Sequence, residues 1–307
     1  MRKGENMKNK NNIDEILDEG FDHLEKGNIK KAQECYLKGL GIDPDNLGLI
    51  NNLAQTYALV GDTKQSKAYH QKLIELCKDD ESIEMLMLKA NSLMNINNFT
   101  EALEIYEKII AKTPNNTSAL FQISSIYMEK GEFEKSNKYL NRILSEDEDN
   151  IVALIDKATN YFNMERYGQA LRYYDKALSL SPKHEIAIRL KGELLKQRGD
   201  AEALKTHIEE TLKIKPDSPY TLMLKAMEFA NEDNDKKAFE FFNRAIAIDP
   251  FLDEAYFNKA GLLMLKKRYD EAIECYKKAF EINPESGGIV DKESLFELLH
   301  QMKNSKS

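Results

Sequence analysis

Small and apolar residues recur along this chain in frames of 34 residues, the interval that separates Pro182, Pro216, Pro250 and Pro284. Within each frame the eighth position is small: Gly20, Ala54, Ala90, Ser124, Ala158, Gly192, Ala226 and Ala260. The twentieth is small at Ala32, Ser66, Ala102, Ser136, Ala170, Ala238 and Ala272, and Leu204 is the exception. Large apolar residues flank these points at helical spacing, as Leu154 and Tyr161 do around Ala158, and Tyr174 and Ala177 after Ala170. The pattern predicts pairs of antiparallel helices that approach closely through their small residues. Gly27, Gly61, Gly131 and Gly199 fall at the turn inside a pair, where a left-handed backbone is needed. Pro44, Pro114 and the four later prolines end the second helix by removing an N–H donor and restricting the residue before.

A fixed period of this length marks an array of stacked supersecondary units. The segments LGLINNLAQTYALVGDTKQSKAYHQKLIEL at 47–76 and DEAYFNKAGLLMLKKRYDEAIECYKKAFEINP at 253–284 resemble the tetratricopeptide repeat. Eight units follow in register, 13–46, 47–80, 83–116, 117–150, 151–184, 185–218, 219–252 and 253–286, with 81–82 inserted. The resemblance implies an all-α fold, a right-handed superhelical solenoid of antiparallel helix pairs, with the first helix of each pair lining a concave groove. Each unit is too small to bury its apolar face alone, so the last one needs a cover. Residues 287–302 are expected to supply it as a capping helix, with Leu295, Leu298, Leu299 and Met302 as its apolar stripe. Residues 1–12 and 303–307 are expected to be disordered tails. Two irregularities stand out. Residues 78–82 lack a proline, so the outer helix before them is expected to run on toward the next unit and the segment is a candidate hinge. Leu204 should force its unit to pack loosely or shift a helix.

The chemistry of catalysis is missing from this pattern. His23, His70, His184, His207 and His300 are dispersed without metal-ligand spacing, and Cys35, Cys77 and Cys275 never form C-x-x-C. No phosphate-binding glycine loop, zinc-protease motif or nucleophile elbow occurs. The run Glu146 to Asp149 lacks the glycine of a calcium loop. The expectation is therefore a non-enzyme with no catalytic residue, no metal and no cofactor. Three separate cysteines suit a reducing compartment. The opening MRKGENMKNKNN is not followed by an apolar core, and no run reaches membrane-spanning length. These features give a cytoplasmic protein with no membrane contact. A formal net charge of −8 argues against a nucleic-acid partner. The lysines that precede the small residue, Lys89, Lys157, Lys191, Lys225 and Lys259, are read as stems covering apolar surface rather than an anion-binding spine.

The family's inward positions hold Asp14, Asp18, Glu25, Glu84, Glu129, Asp156, Glu193 and Glu254 against only Arg189 and Lys196. None of the places that would carry the first Lys and Asn of a chaperone-tail carboxylate clamp has that pair. What remains inward is acidic and rich in Met, Phe and amides: Met87, Asn91, Met94, Phe121, Gln122, Met128, Glu129, Ile155, Asp156 and Phe162, with Met223 and Met227 as a second cluster. Methionine repacks around variable shapes, amides pair with an extended backbone, and carboxylates attract Lys or Arg. The expected function is a protein-interaction scaffold whose groove binds an extended or helical, basic and apolar segment of a protein or peptide. Phe121 and Phe162 would anchor it, Asn91 and Gln122 would bond its backbone, and Asp156 and Glu129 would steer charge. The alternative is a self-associating assembly subunit, a homo-oligomer built through the capping helix or the convex face.

Overall fold

The computed structural model describes residues 2–288 and 292–304, with residues 2–11 described by backbone alone. Among them there are seventeen helices and no strand. The chain divides into two compact units, Met1–Glu148 and Asp149–Ser307. The first holds α1 (Arg2–Glu25), α2 (Ile29–Leu40), α3 (Leu47–Leu59), α4 (Thr63–Leu76), α5 (Ile83–Asn95), α6 (Phe99–Lys112), α7 (Thr117–Glu129) and α8 (Phe133–Glu146). The second holds α9 (Ile151–Asn163), α10 (Tyr167–Leu180), α11 (Glu185–Arg198), α12 (Ala201–Ile214), α13 (Pro219–Asn231), α14 (Asp235–Ile248), α15 (Asp253–Leu265), α16 (Tyr269–Ile282) and α17 (Lys292–Asn304). Each unit is a stack of antiparallel helix pairs, the architecture of a tetratricopeptide solenoid.

The small residues sit where two helices of a pair meet. Ala32, Ala54, Ala90, Ala102, Ala158, Ala170, Ala226, Ala238, Ala260 and Ala272 are all fully buried. Gly20 shows how tight the approach is, because a Cβ built there would lie 2.2 Å from the ring of Tyr36. Aromatic residues at the eleventh and twenty-third places face each other across the pair. Tyr57 and Tyr69 stack at 5.7 Å, Tyr127 and Tyr139 at 5.7 Å, and Tyr161 and Tyr173 at 5.6 Å, while Phe229 and Phe241 meet tilted at 5.3 Å.

The turn inside every pair places its fifteenth residue in the left-handed region. Four turns use Gly27, Gly61, Gly131 and Gly199; the other four use Asn97, Glu165, Asp233 and Lys267. The geometry is thus set by the pairing of the helices, and a side chain is carried there at a steric cost. Between pairs, prolines follow α2, α6, α10, α12, α14 and α16, and asparagine caps α3, α7 and α9. Asn46, Asn116 and Asn150 accept from the backbone N–H of Leu49, Ala119 and Ala153 at 2.9–3.1 Å.

Several expectations are corrected by the structure. The helix before 78–82 does not run on: α4 ends at Leu76 and α5 starts at Ile83. Ser82 caps α5, and Asp80 Oδ1 accepts from Ser82 N–H at 2.8 Å. Lys112 Nζ then donates to the Glu81 carbonyl at 2.7 Å and to its carboxylate at 3.1 Å. That bond holds the Glu81 carboxyl below the usual range. In neighbouring repeats Lys72 and Arg142 donate to the carbonyls of Pro44 and Pro114, so Glu81 takes the role of the missing proline's carbonyl. α1 is helical from Arg2, where a disordered tail was expected over 1–12. α17 runs to Asn304, past the expected end of the cap, while 289–291 and 305–307 lie outside the described residues. In α17, Leu295, Leu299 and Met302 pack with Phe296 against the core around Phe280, but Leu298 is 48% exposed. Leu298 lies off the face set by Leu295, Leu299 and Met302, and Phe296 fills its place. Leu204 joins the core with Ile208 and Phe242 and borders a cavity of about 300 Å³ lined also by Leu224 and Met227.

Two outcomes test this account. Glu165→Gly should raise stability by about 1 kcal/mol in a denaturant melt, since glycine adopts the left-handed turn without the Cβ penalty. Limited proteolysis should cut first within 78–82, and Lys112→Met should speed that cleavage without affecting other turns; equal rates in both proteins would show that Lys112 does not pin the insertion.

Candidate functional site

The expected groove residues fall on both units, and each set is described by itself. In the first unit, Met87 and Met94 on α5 are half-buried and pack on the core formed by Leu86, Ala90, Ile105 and Tyr106. Asn91 lies between them on the same helix. Its Oδ1 accepts from the Tyr106 hydroxyl at 2.6 Å, so its Nδ2 is what it chiefly offers a ligand. Phe121, Gln122 and Met128 on α7 are half-buried, and Glu129, the last residue of that helix, is exposed.

In the second unit the ninth residue of a first helix again meets a tyrosine from its partner helix, as Thr159 Oγ1 and Tyr174 OH lie 3.1 Å apart. Burial raises the Tyr174 phenol to about 12. Asp156, one turn before Thr159, is half-buried, and burial pushes its carboxyl up to about 6. Phe162, next to last in α9, has its ring 6.0 Å from that of Tyr167. Met227 is half-buried and lines the cavity beside Leu204.

Two expected groove residues belong instead to the interior. Met223 is 1% exposed within the core around Phe242, and Ile155 is 6% exposed. Their helices are turned so that these positions face packed neighbours, and no ligand can reach them without displacing the core.

The strongest convergence of charge in the second unit involves residues that were read as inward-facing but not gathered into a site. Arg189 Nη1 donates to Glu193 Oε1 at 2.6 Å on α11. Glu254 on α15 is half-buried, and its carboxyl is raised first by burial, then by the charges of Glu193 and Asp253, with Arg189 and Lys196 opposing. Glu193 and Glu254 thus repel each other across two repeats, and Arg189 with Lys196 only partly offsets them. The signal in the sequence was the pair of acids at inward positions; their mutual reach depends on how α11, α13 and α15 stack. The lysine series is used internally. Lys157 lies 4.5 Å over the Tyr173 ring, Lys191 pairs with Asp175 at 2.7 Å, and Lys225 with Glu228 at 2.9 Å.

The chain belongs to the tetratricopeptide-repeat family. Models described as tetratricopeptide repeat match 23–46, 49–84, 97–157, 152–184 and 253–286, together more than half of it. The chain is 22% identical to the human protein O-mannosyl-transferase TMTC1 over 76% of its own length and 23% of that protein. It is 21% identical to the Hsp70-Hsp90 organizing protein 3 of Arabidopsis thaliana over 89% of its length and 43% of that protein. It therefore spans less than half of either relative. Yeast Tom70 has the same fold, with a TM-score of 0.71 at 15% identity over 96% of this chain and 64% of that one. Among the described residues no helix is long and apolar enough to cross a membrane.

The raised carboxyl of Asp156 fixes a pH dependence. Its ordinary value is 3.8, so the native state binds this proton more tightly than the unfolded chain does. Its contribution to stability is complete below about pH 4 and is lost as pH rises through 6. Asp156→Asn should remove that fall and stabilise the protein at pH 7.5 by about 2 kcal/mol or less, with little change at pH 4. Urea melts at the two pH values check this.

Proposed function

We propose that this protein is a non-catalytic interaction module of the cytoplasm that holds an extended or helical segment of a partner protein, basic and apolar in character, on its first-helix faces. The observation that carries the reading is the group Asp156, Glu193 and Glu254. Two of these carboxyls are raised by burial, and only Arg189 and Lys196 oppose the charge around Glu254. A Lys or Arg from a partner would restore the lost solvation and neutralise the repulsion between Glu193 and Glu254. In the second unit, Phe162 and Met227 would give such a segment apolar contact beside these acids; in the first, taken by itself, Met87, Met94, Phe121 and Met128 offer the same kind of contact and Asn91 and Gln122 offer amide donors for a peptide backbone. The relation to a protein named for organizing Hsp70 and Hsp90 supports protein binding as the role. The match to TMTC1 covers 23% of that protein, so its transferase activity does not carry over on this likeness.

Panning a random peptide display library on the purified chain tests the reading. Enriched peptides should combine Lys or Arg with apolar residues and should bind more weakly at high salt. Glu254→Gln with Asp156→Asn should remove the basic preference, and Phe121→Ala or Phe162→Ala should each weaken binding by about 2 kcal/mol or more if that ring is an anchor. Acidic consensus peptides, or binding unmoved by all four changes, would overturn it. Mass that rises with concentration while no peptide is captured would favour the self-associating subunit.

A further inference from the structure

The first helix pair departs from the others in a way that concentrates metal-binding chemistry. In repeats with an aromatic eleventh and twenty-third residue, those two side chains meet across the pair, as Tyr57 meets Tyr69 and Tyr161 meets Tyr173. The seventh residue reaches the same spot. Lys157 lies over the Tyr173 ring at 4.5 Å, and Lys225 lies over the Phe229 ring at 5.1 Å. Places seven, eleven and twenty-three therefore form a contact triad that the repeat geometry rebuilds. In the first repeat all three are changed together: Glu19 stands for the lysine, and His23 and Cys35 stand for the aromatic pair.

The result is a group of ligand atoms from Glu19, His23 and Cys35 that all lie within 4.8 Å of one another. Among the described residues it is the one such group of three. Glu19 and His23 are one turn apart on α1, and Cys35 comes from α2. Gly20 and Tyr36, the residues next to Glu19 and Cys35, hold the two helices in their closest approach. The His23 Nδ1 is shielded from solvent and has no hydrogen-bond partner.

We propose that Glu19, His23 and Cys35 form a binding site for a divalent transition-metal ion of the zinc type. One carboxylate, one imidazole and one thiolate are a ligand set for zinc, and three protein ligands leave a fourth position for water or a ligand atom from a partner. Tetrahedral coordination needs ligand atoms about 3.5 Å apart, which follows from bond lengths near 2.0–2.3 Å. Glu19 is exposed and His23 and Cys35 are half-buried, and on this proposal their side chains rotate to close that gap. Metal binding releases the thiol proton, and the ion would tie α1 to α2.

The test uses the full-length, reduced, tag-free chain with Zn²⁺ by calorimetry and Co²⁺ by absorption. One ion per chain is expected, with a thiolate-to-cobalt charge-transfer band and a zinc-dependent rise in melting temperature. Cys35→Ser should abolish the band, and His23→Ala should weaken affinity by about tenfold or more. The double change His23→Tyr with Cys35→Tyr copies the stacked pair of the second repeat, so it should fold at least as stably as the natural protein yet bind no metal. The proposal is overturned if the natural protein gives no thiolate band, if the band survives Cys35→Ser, or if the Tyr pair still binds the ion.

Discussion

The close approach of two helices through paired small residues is the constraint on which this protein depends. Alanine, glycine or serine at the eighth place and, except at Leu204, a small residue at the twentieth let the backbones come near enough for large residues to interdigitate. Gly20 is the limiting case, since even one methyl group there would collide with Tyr36. The left-handed turn follows from the same demand. Two antiparallel helices this close leave room for only a short reversal, and the chain adopts it whether the residue is Gly131 or Glu165. Local preference yields to packing here because burial of a whole helix face outweighs about 1–2 kcal/mol of backbone cost.

Once the pair is fixed, every place in a repeat has a defined neighbour, and function becomes a matter of which residue occupies it. The tyrosine at place twenty-four sends its hydroxyl to place nine, where it meets Asn91 in one repeat and Thr159 in another. Places seven, eleven and twenty-three form a cation–aromatic contact in some repeats and a carboxylate, imidazole and thiol in the first. The same backbone thus carries stacked aromatic pairs, hydroxyl-bonded polar groups and the ligand set proposed for a metal, separated only by side-chain choice.

Electrostatics divides along the same lines. Basic residues at the outer edge of the pairs are engaged with neighbouring acids or carbonyls, as Lys112 is with Glu81 and Lys191 with Asp175. Acids on the first helices are less well matched: Asp156 is desolvated, and Glu254 feels Glu193 as well as burial. A surface that is neutralised within itself gains little from a charged partner, whereas half-buried acids gain from one. The proposed basic segment fits this difference.

The sequence alone determined the helical period, the paired small positions, the proline stops and the family, because these constraints act within one repeat and recur. Tertiary structure alone decided which inward places are open. Met223 and Ile155 are apolar residues of first helices just as Met227 and Phe162 are, and no pattern set them apart, yet the rotation of their helices against neighbours buries them. It likewise turned Leu298 outward, brought Glu254 under the influence of Glu193, and gathered Glu19, His23 and Cys35 from two helices. Such meetings depend on rotation and stacking of whole elements, and no spacing along the chain records them.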